Sequence, residues 1–321
     1  MLKMILPPLA VLAAVAAYAA PSAPERKILF FTKSSGFEHS VISWKNGRPS
    51  AAEKTLLELG AKNGWEFTFS KDGSLFSEAY LAQFDSVMFY TTGDLTTRGT
   101  DGQPPLSPVG KQALFDYVQA GHGFVGTHSA ADTFHTANES TKGPERFLNH
   151  GEQADPYVRF LGGEFIIHGA QQVAKTTVID RKFPGFAESG PSFDTLEEWY
   201  SLKDFSPDLH VIAVLDAPAM SGTMYQRPAY PITWARAEGS GRVFYTAMGH
   251  REDVWTSGNF RNILTGALRW ANGELPAAVA PNLAASAPGA ATNPVYQAPA
   301  APKTVSPSPG GAAPAAKTGA P

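Results

Sequence analysis

Four short apolar runs, separated by stretches with helical spacing, occupy the first half of the chain and leave few folds open to it. Lys27-Ile28-Leu29-Phe30-Phe31-Thr32 is nearly continuous in apolar residues, as a strand buried on both faces must be. Trp65 to Phe69, Ser86-Val87-Met88-Phe89-Tyr90 and Gly123-Phe124-Val125-Gly126-Thr127 repeat the pattern. Between them, residues 49–62 carry Ala52, Leu56, Leu59 and Gly60 at helical spacing, 77–83 fits a short helix, and Pro108 to Ala120 a helix with proline in its first turn. Strands and helices in the order βαβαβαβ are joined by crossovers, so the spacing predicts an α/β fold: a mostly parallel sheet with helices on both faces. Later strands are expected at 164–168, 173–179, 210–215, 230–236 and 242–247, with an amphipathic helix at 258–271 closing the domain. Ligands of such sheets bind beyond the carboxyl ends of the strands. That points to the loops after Thr32, Tyr90, Thr127 and Ala247.

The two ends of the chain read differently. Lys3, the apolar run Met4 to Ala17 and the small-x-small pattern Ala17-Tyr18-Ala19 together resemble a secretory signal peptide over residues 1–19. The run is short for a membrane span and contains Pro7-Pro8, which favours a cleaved leader over an anchor. The expectation is a secreted or periplasmic protein with no stable membrane insertion after cleavage. Residues 26–273 are then one globular domain, and 274–321, rich in Ala and Pro, are expected to be a disordered tail. The chain has no cysteine, which rules out disulfides, thiolate catalysis and thiolate metal sites. A net charge of −3 gives no reason to expect nucleic acid as a partner.

The four loops hold the residues with chemistry. They read Lys33-Ser34-Ser35-Gly36-Phe37-Glu38-His39-Ser40, Thr91-Thr92-Gly93-Asp94, Gly126-Thr127-His128-Ser129-Ala130-Ala131-Asp132 and Gly249-His250-Arg251-Glu252-Asp253. Histidines at the carboxyl ends of three separate strands are expected to meet on one rim.

Short motifs in a fixed order sharpen the picture. They are Gly36-Phe37-x-His39, Gly123-Phe124-Val125-Gly126-x-His128-x-x-x-Asp132, Leu161-Gly162-Gly163-x-Phe165-x-x-His168 and Glu198-x-Tyr200. Phe205-Ser206-Pro207-x-x-His210, Tyr230-Pro231-Ile232-x-Trp234 and Gly241-Arg242-Val243-Phe244-Tyr245-Thr246-x-x-Gly249-His250 follow. In this order they resemble the trehalose-utilisation (ThuA-like) family over residues 26–273. The resemblance implies a flavodoxin-like sheet of the class I glutamine amidotransferase-like superfamily. Gly126-x-His128-x-Ala130 is similar to that superfamily's nucleophile elbow, a sharp strand-to-helix turn. His250-Arg251-Glu252 resembles its His-x-Glu pair, and Thr92-Gly93 stands where its oxyanion-hole loop would be. An imidazole at the elbow cannot form a thioester, so glutamine amidotransferase activity is not expected.

Two chemistries fit the residues that remain. Neutral imidazoles with a carboxylate bind Zn, Mn, Fe or Ni; His39, His128, Asp132 and His168 are the candidate ligands of a divalent metal, with His250 close by. Asp132 enters this set because four residues across a turn entering a helix can share one face. Alternatively, His128 or His250 acts as a general base without metal, oriented by Glu198 or Glu252, with Tyr200 stabilising charge. Ser129 beside the elbow is the weaker candidate for a hydrolase nucleophile. His39, Thr92, Gly93, Trp44 and Trp255 are candidate substrate contacts, the two indoles as platforms for sugar rings; Trp234 reads as core. His122 and His150 read as surface or helix-end residues, His210 as structural, and His135 as either exposed or part of the site. The family resemblance implies a small-molecule carbohydrate, a disaccharide or keto-sugar, as partner. An enzyme such as a sugar isomerase, lyase or hydrolase is favoured over its rival, a non-catalytic carbohydrate-binding or cell-envelope protein on the same scaffold.

Overall fold

Each crossover helix starts and stops on local chemistry. In the computed structural model, which describes residues 26–45, 47–137 and 143–298, helix α1 (Ala51–Asn63) opens on a capping box. The Ser50 side chain accepts from the Glu53 amide and the Glu53 carboxylate accepts from the Ser50 amide. Gly64, left-handed at φ 75°, ends it. Helix α2 is the single turn Glu78–Leu81, and α3 (Pro108–Gln119) is capped by Ser107 with Pro108 in its first turn. Helices α4 (Pro156–Leu161), α5 (Glu252–Thr256), α6 (Gly258–Ala271) and α7 (Leu283–Ser286) follow. The expected signal, residues 1–19, lies outside the described residues, within which no helix is long and apolar enough to cross a membrane.

The strands are β1 (Arg26–Phe31), β2 (Trp65–Ser70), β3 (Ser86–Phe89), β4 (Gly123–Thr127), β5 (Glu164–His168) and β6 (Gln172–Val178). After them come β7 (Ser192–Glu197), β8 (Tyr200–Lys203), β9 (His210–Leu215), β10 (Tyr230–Glu238) and β11 (Gly241–Thr246). Nine form one sheet in the order β2-β1-β3-β4-β11-β10-β9-β6-β7. The first five are mutually parallel, as the crossovers require, and the remaining four extend the sheet antiparallel. Both faces are covered. Phe124 meets Tyr157 and Phe160 of α4, whereas a Cβ on neighbouring Gly123 would strike Ala271 of α6 on the other side.

Strands β7 and β8 escape the sequence pattern. The first is an edge strand with mixed exposure, and the second, Tyr-Ser-Leu-Lys, is wholly buried despite two polar residues. Ser201 accepts from Arg227, and Lys203 pairs with Glu164. These partners lie far away in sequence, so the apolar pattern carries no trace of the burial. β8 pairs with β5 in a separate two-stranded ribbon that sets His168 opposite Tyr200.

The chain does not leave the domain after Gly273. From 274 to 298, where an unstructured tail was expected, it lies against the globular part. Asn282 makes both backbone hydrogen bonds of Val211, Arg227 donates to the Ala290 carbonyl, Asn293 donates to Phe147, and Ala287 and Ala290 are buried. An Ala- and Pro-rich segment has few large side chains to bury, but its asparagines, carbonyls and small residues suffice where the domain supplies matching polar groups. Residues 299–321 lie outside the described part.

Candidate functional site

The site begins at the end of β4, where the chain turns sharply. His128 sits there with φ +43°, one of three non-glycine residues in the left-handed region among those described. Such a backbone costs a side-chain-bearing residue about 1–2 kcal/mol and persists only where its surroundings impose it. Small neighbours make room: a Cβ on Gly126 would come within 3.1–3.2 Å of Leu161, Ala130 and Tyr245. The Tyr245 hydroxyl donates to the His128 carbonyl at 2.7 Å. The elbow geometry is therefore present with an imidazole at its tip.

The ring of His128 is fully buried, and its tautomer follows from its partners. Nδ1 lies 3.1 Å from the Ala247 carbonyl, which can only accept, so Nδ1 carries the hydrogen. In the neutral ring the Nε2 lone pair then faces inward, 3.5 Å from Glu198 Oε2 and 3.3 Å from His250 Nδ1.

Three further loops close around it. His39, after β1, stands edge-to-face with His128 and His250 at ring separations of 5.0 and 5.2 Å. Its Nδ1 is buried without a hydrogen-bond partner among the described residues. Burial, reinforced by the His128 and His250 rings, holds His39 well below the usual imidazole range, so it is neutral. His250, after β11, has its Nδ1 3.1 Å from Glu198 Oε2. Burial pulls its affinity for a proton down, but the Glu198 hydrogen bond and charge outweigh that and raise its pKa. Glu198, between β7 and β8, shows the reverse balance. Burial favours its neutral form, yet the imidazoles of His128 and His250 beside it outweigh that and hold it ionised, well below the usual carboxylate range.

His39, His128, His250 and Glu198 each place one ligand atom within 4.8 Å of the others. Donors about 2.1 Å from a common ion are at most about 4.2 Å apart, so small side-chain movements would close this set on a metal. Three imidazoles and a carboxylate form a nitrogen and oxygen set suited to Zn, Mn, Fe or Ni.

The membership differs from the sequence expectation. Asp132 is not part of it. Residues 128–132 form a 3-10 turn rather than an α-helix, and at three residues per turn positions i and i+4 do not share a face. Asp132 accepts instead from His135 at 2.7 Å and Arg146 at 3.1 Å. His168 stands beside the group, its Nδ1 3.3 Å from the other oxygen of Glu198 and its side chain 43% exposed. Glu198 takes the orienting place that the His-x-Glu resemblance assigned to Glu252, which accepts from Ser40 Oγ at 2.6 Å.

The remaining candidates divide between wall and scaffold. Tyr200 is buried with its ring 4.2 Å from that of His128, and burial holds its hydroxyl protonated. Gly93 spends its amide on the Asp132 carbonyl, and the Thr92 amide donates to Lys33, so neither is left as an oxyanion donor. Trp255 is wholly buried with Nε1 donating to the Gly249 carbonyl, so it cannot be a sugar platform. Trp44 is 43% exposed and donates to Glu53. The Ser129 hydroxyl is buried with no partner among the described residues, so no histidine activates it. His122 stacks on Tyr117, and His210 pairs with Asp180.

One residue escaped the sequence reading. Glu197, fully buried, accepts from the amides of Gly249 and His250 through Oε2 and from that of Glu198 through Oε1. It ties together the two loops that carry His250 and Glu198. Its only sequence signal is the tandem acidic pair ahead of Trp199-Tyr200.

With this geometry in hand, comparisons with known proteins agree on a family. The model of the trehalose utilisation (ThuA) family matches residues 27–271. A putative ThuA-like protein from Bacteroides uniformis is 20% identical, with a TM-score of 0.55 over 79% of this chain and 95% of its own. One from Parabacteroides merdae is 17% identical, with a TM-score of 0.51 over 85% of this chain and 97% of its own. No curated protein matches.

Proposed function

Since the chain belongs to the trehalose utilisation (ThuA) family, we propose that it is an enzyme acting on a sugar or oxidised sugar derivative, a disaccharide or keto-sugar, with a divalent transition metal held by His39, His128, His250 and Glu198. The observation that carries this reading is the convergence of those four ligand atoms. The partnerless Nδ1 of neutral, buried His39 supports it, because an unpaired buried polar atom is costly unless something else satisfies it.

An ion held this way polarises a carbonyl or activates a hydroxyl, the groups a sugar or keto-sugar offers. The protein's own residues do the rest. The Ala247 carbonyl orients His128 so that Nε2 faces the ion position. Glu198 directs one oxygen to that position and the other to His168. His168 Nδ1 meets only acceptors, Glu198 Oε1 and the Gly169 carbonyl, so in the neutral ring Nε2 is the atom that takes a proton. Tyr200 walls the site and keeps its hydroxyl hydrogen.

The test is metal analysis of protein purified without a histidine tag, before and after reconstitution with Zn, Mn, Fe or Ni, alongside a His128→Ala variant. About one ion per chain in the wild type and none in the variant is the expected result. No retained ion after reconstitution, or equal retention by the variant, overturns the metal. Metal-free catalysis by His128 or His250 then becomes the reading, because both already share Glu198. The competing class, a non-catalytic carbohydrate-binding protein, is separated by prolonged incubation with trehalose and its 3-keto form: saturable binding without product favours it. Export rests on the leader pattern of residues 1–19, and a mature protein that retains those residues by N-terminal mass measurement counts against cleavage.

A further inference from the structure

We infer that Phe37 is the platform against which the apolar face of a sugar ring lies when its reacting carbon is presented to the histidine cluster. The inference rests on the sugar reading above and adds to it a specificity-determining residue. A single exposed apolar side chain ordinarily needs no explanation. Phe37 differs in how it is held. It is 68% exposed and the only exposed phenylalanine among the described residues, yet the loop carrying it is pinned on both sides. The amides of Ser35 and Gly36 both donate to the Thr92 carbonyl. The Phe37 carbonyl accepts from Thr92 Oγ1 at 2.9 Å, and the Gly36 carbonyl accepts from Thr100 Oγ1 at 2.6 Å.

The close crossing of two loops creates this clamp. A Cβ on Gly36 would lie 3.3 Å from Thr92, and one on Gly93, at φ +74°, would lie 2.7 Å from the Gly36 amide nitrogen. Glycine is required at Gly93 by both its conformation and its surroundings. The loop therefore keeps a flat apolar ring in solvent where a slacker one would fold it inward. The ring stands edge-to-face with His39 at 5.0 Å, which places it beside the cluster. Trp44, the platform suggested by sequence, is tethered to Glu53 of α1, and no ring contact links it to the cluster. An aromatic face beside convergent polar groups is how sites commonly bind ligands with one apolar and one hydroxylated side.

The experiment is calorimetric titration of the metal-reconstituted full chain with trehalose and with its 3-keto form, on wild type, Phe37→Ala and Phe37→Trp, with metal content measured on each sample. Expected are binding weakened about tenfold by Phe37→Ala and kept within about threefold by Phe37→Trp, at unchanged metal content. Unchanged binding in Phe37→Ala overturns the platform and leaves the metal reading intact. Loss of metal in Phe37→Ala would show that the ring only props His39, which also overturns it. A wild type that holds metal but binds neither sugar removes both the platform and the sugar reading.

Discussion

The short turn from His128 to Asp132 carries a histidine–carboxylate cluster at each end, and the two are built on opposite principles. At His128, four imidazoles, those of His39, His128, His168 and His250, gather around the carboxylate of Glu198, and one buried ring nitrogen has no partner among the described residues. At Asp132 the ratio is inverted. The one imidazole of His135 is clamped between Asp132 at 2.7 Å and Glu164 at 2.8 Å, with Arg146 on the first carboxylate and buried Lys203 on the second. The second cluster sets a cation against each carboxylate and saturates both ring nitrogens. The first has more lone pairs than protons to share among them. Residue types alone do not distinguish a ligand-binding cluster from a structural one; the donor-to-acceptor balance does.

The strongest way to break this contrast is to neutralise one carboxylate in each cluster. Glu198→Gln should abolish metal retention and turnover at a smaller cost in stability than the Glu164 change, because Glu198 is less buried. Glu164→Gln should do the reverse. It removes the buried carboxylate that the Lys203 ammonium and His135 share, at a cost of about 3–5 kcal/mol, while the metal content stays that of the wild type. Paired urea unfolding and metal analysis read both. If Glu164→Gln loses metal at unchanged stability, the second cluster belongs to the site and the contrast fails.

A smaller effect appears in the dependence of stability on pH. Burial alone would raise the Glu164 pKa, but the His135 hydrogen bond and the Lys203 charge lower it to about 2 from its usual 4.5. The folded pKa is depressed, so this stabilisation is fully present above about 4.5 and is lost as pH falls through about 2. His135 works from the other side. Despite burial, its two carboxylates raise its pKa above 6.5, so its contribution is full below that value and fades as pH rises through the raised one. Urea midpoints of wild type should fall across the acid window, and those of Glu164→Gln should fall less steeply there. Parallel acid limbs would show that Glu164 is not the group responsible.

The parts of this picture that were legible in sequence are those governed by local pattern. β1, β3 and β4 announce themselves as apolar runs because they are buried on both faces, and the histidines ending three loops converge because parallel strands place those loops on one rim. The misplacements share another cause, which is dependence on distant partners or on one turn's pitch. Asp132 left the cluster because its turn is 3-10, and Trp255 left it because the Gly249 carbonyl holds its indole inside. β8 was invisible because Glu164 and Arg227 neutralise its polar residues from elsewhere. The segment 274–298 docks through two asparagine side chains and backbone carbonyls that bulk composition does not report.

Glu197 gives the finest test, because it acts on the cluster without belonging to it. Its carboxylate touches no ring; it holds the amides of Glu198, Gly249 and His250, and burial raises its pKa against the pull of His128 and of those amides. A positioning residue of this kind should alter how well the site binds rather than what it binds. In Glu197→Gln the side-chain oxygen can still accept two of those amides, but the new NH2 group faces a donor. Metal affinity should therefore fall by about tenfold, the lower end for groups that orient metal ligands, with the preference among Zn, Mn, Fe and Ni unchanged. Competition against a chromogenic chelator measures both quantities. A purely structural role would shift the urea midpoint and leave the metal affinity of the folded protein as it was. A changed order of metal preference would place Glu197 among the ligands, and would make the carboxylate count at the His128 end two instead of one.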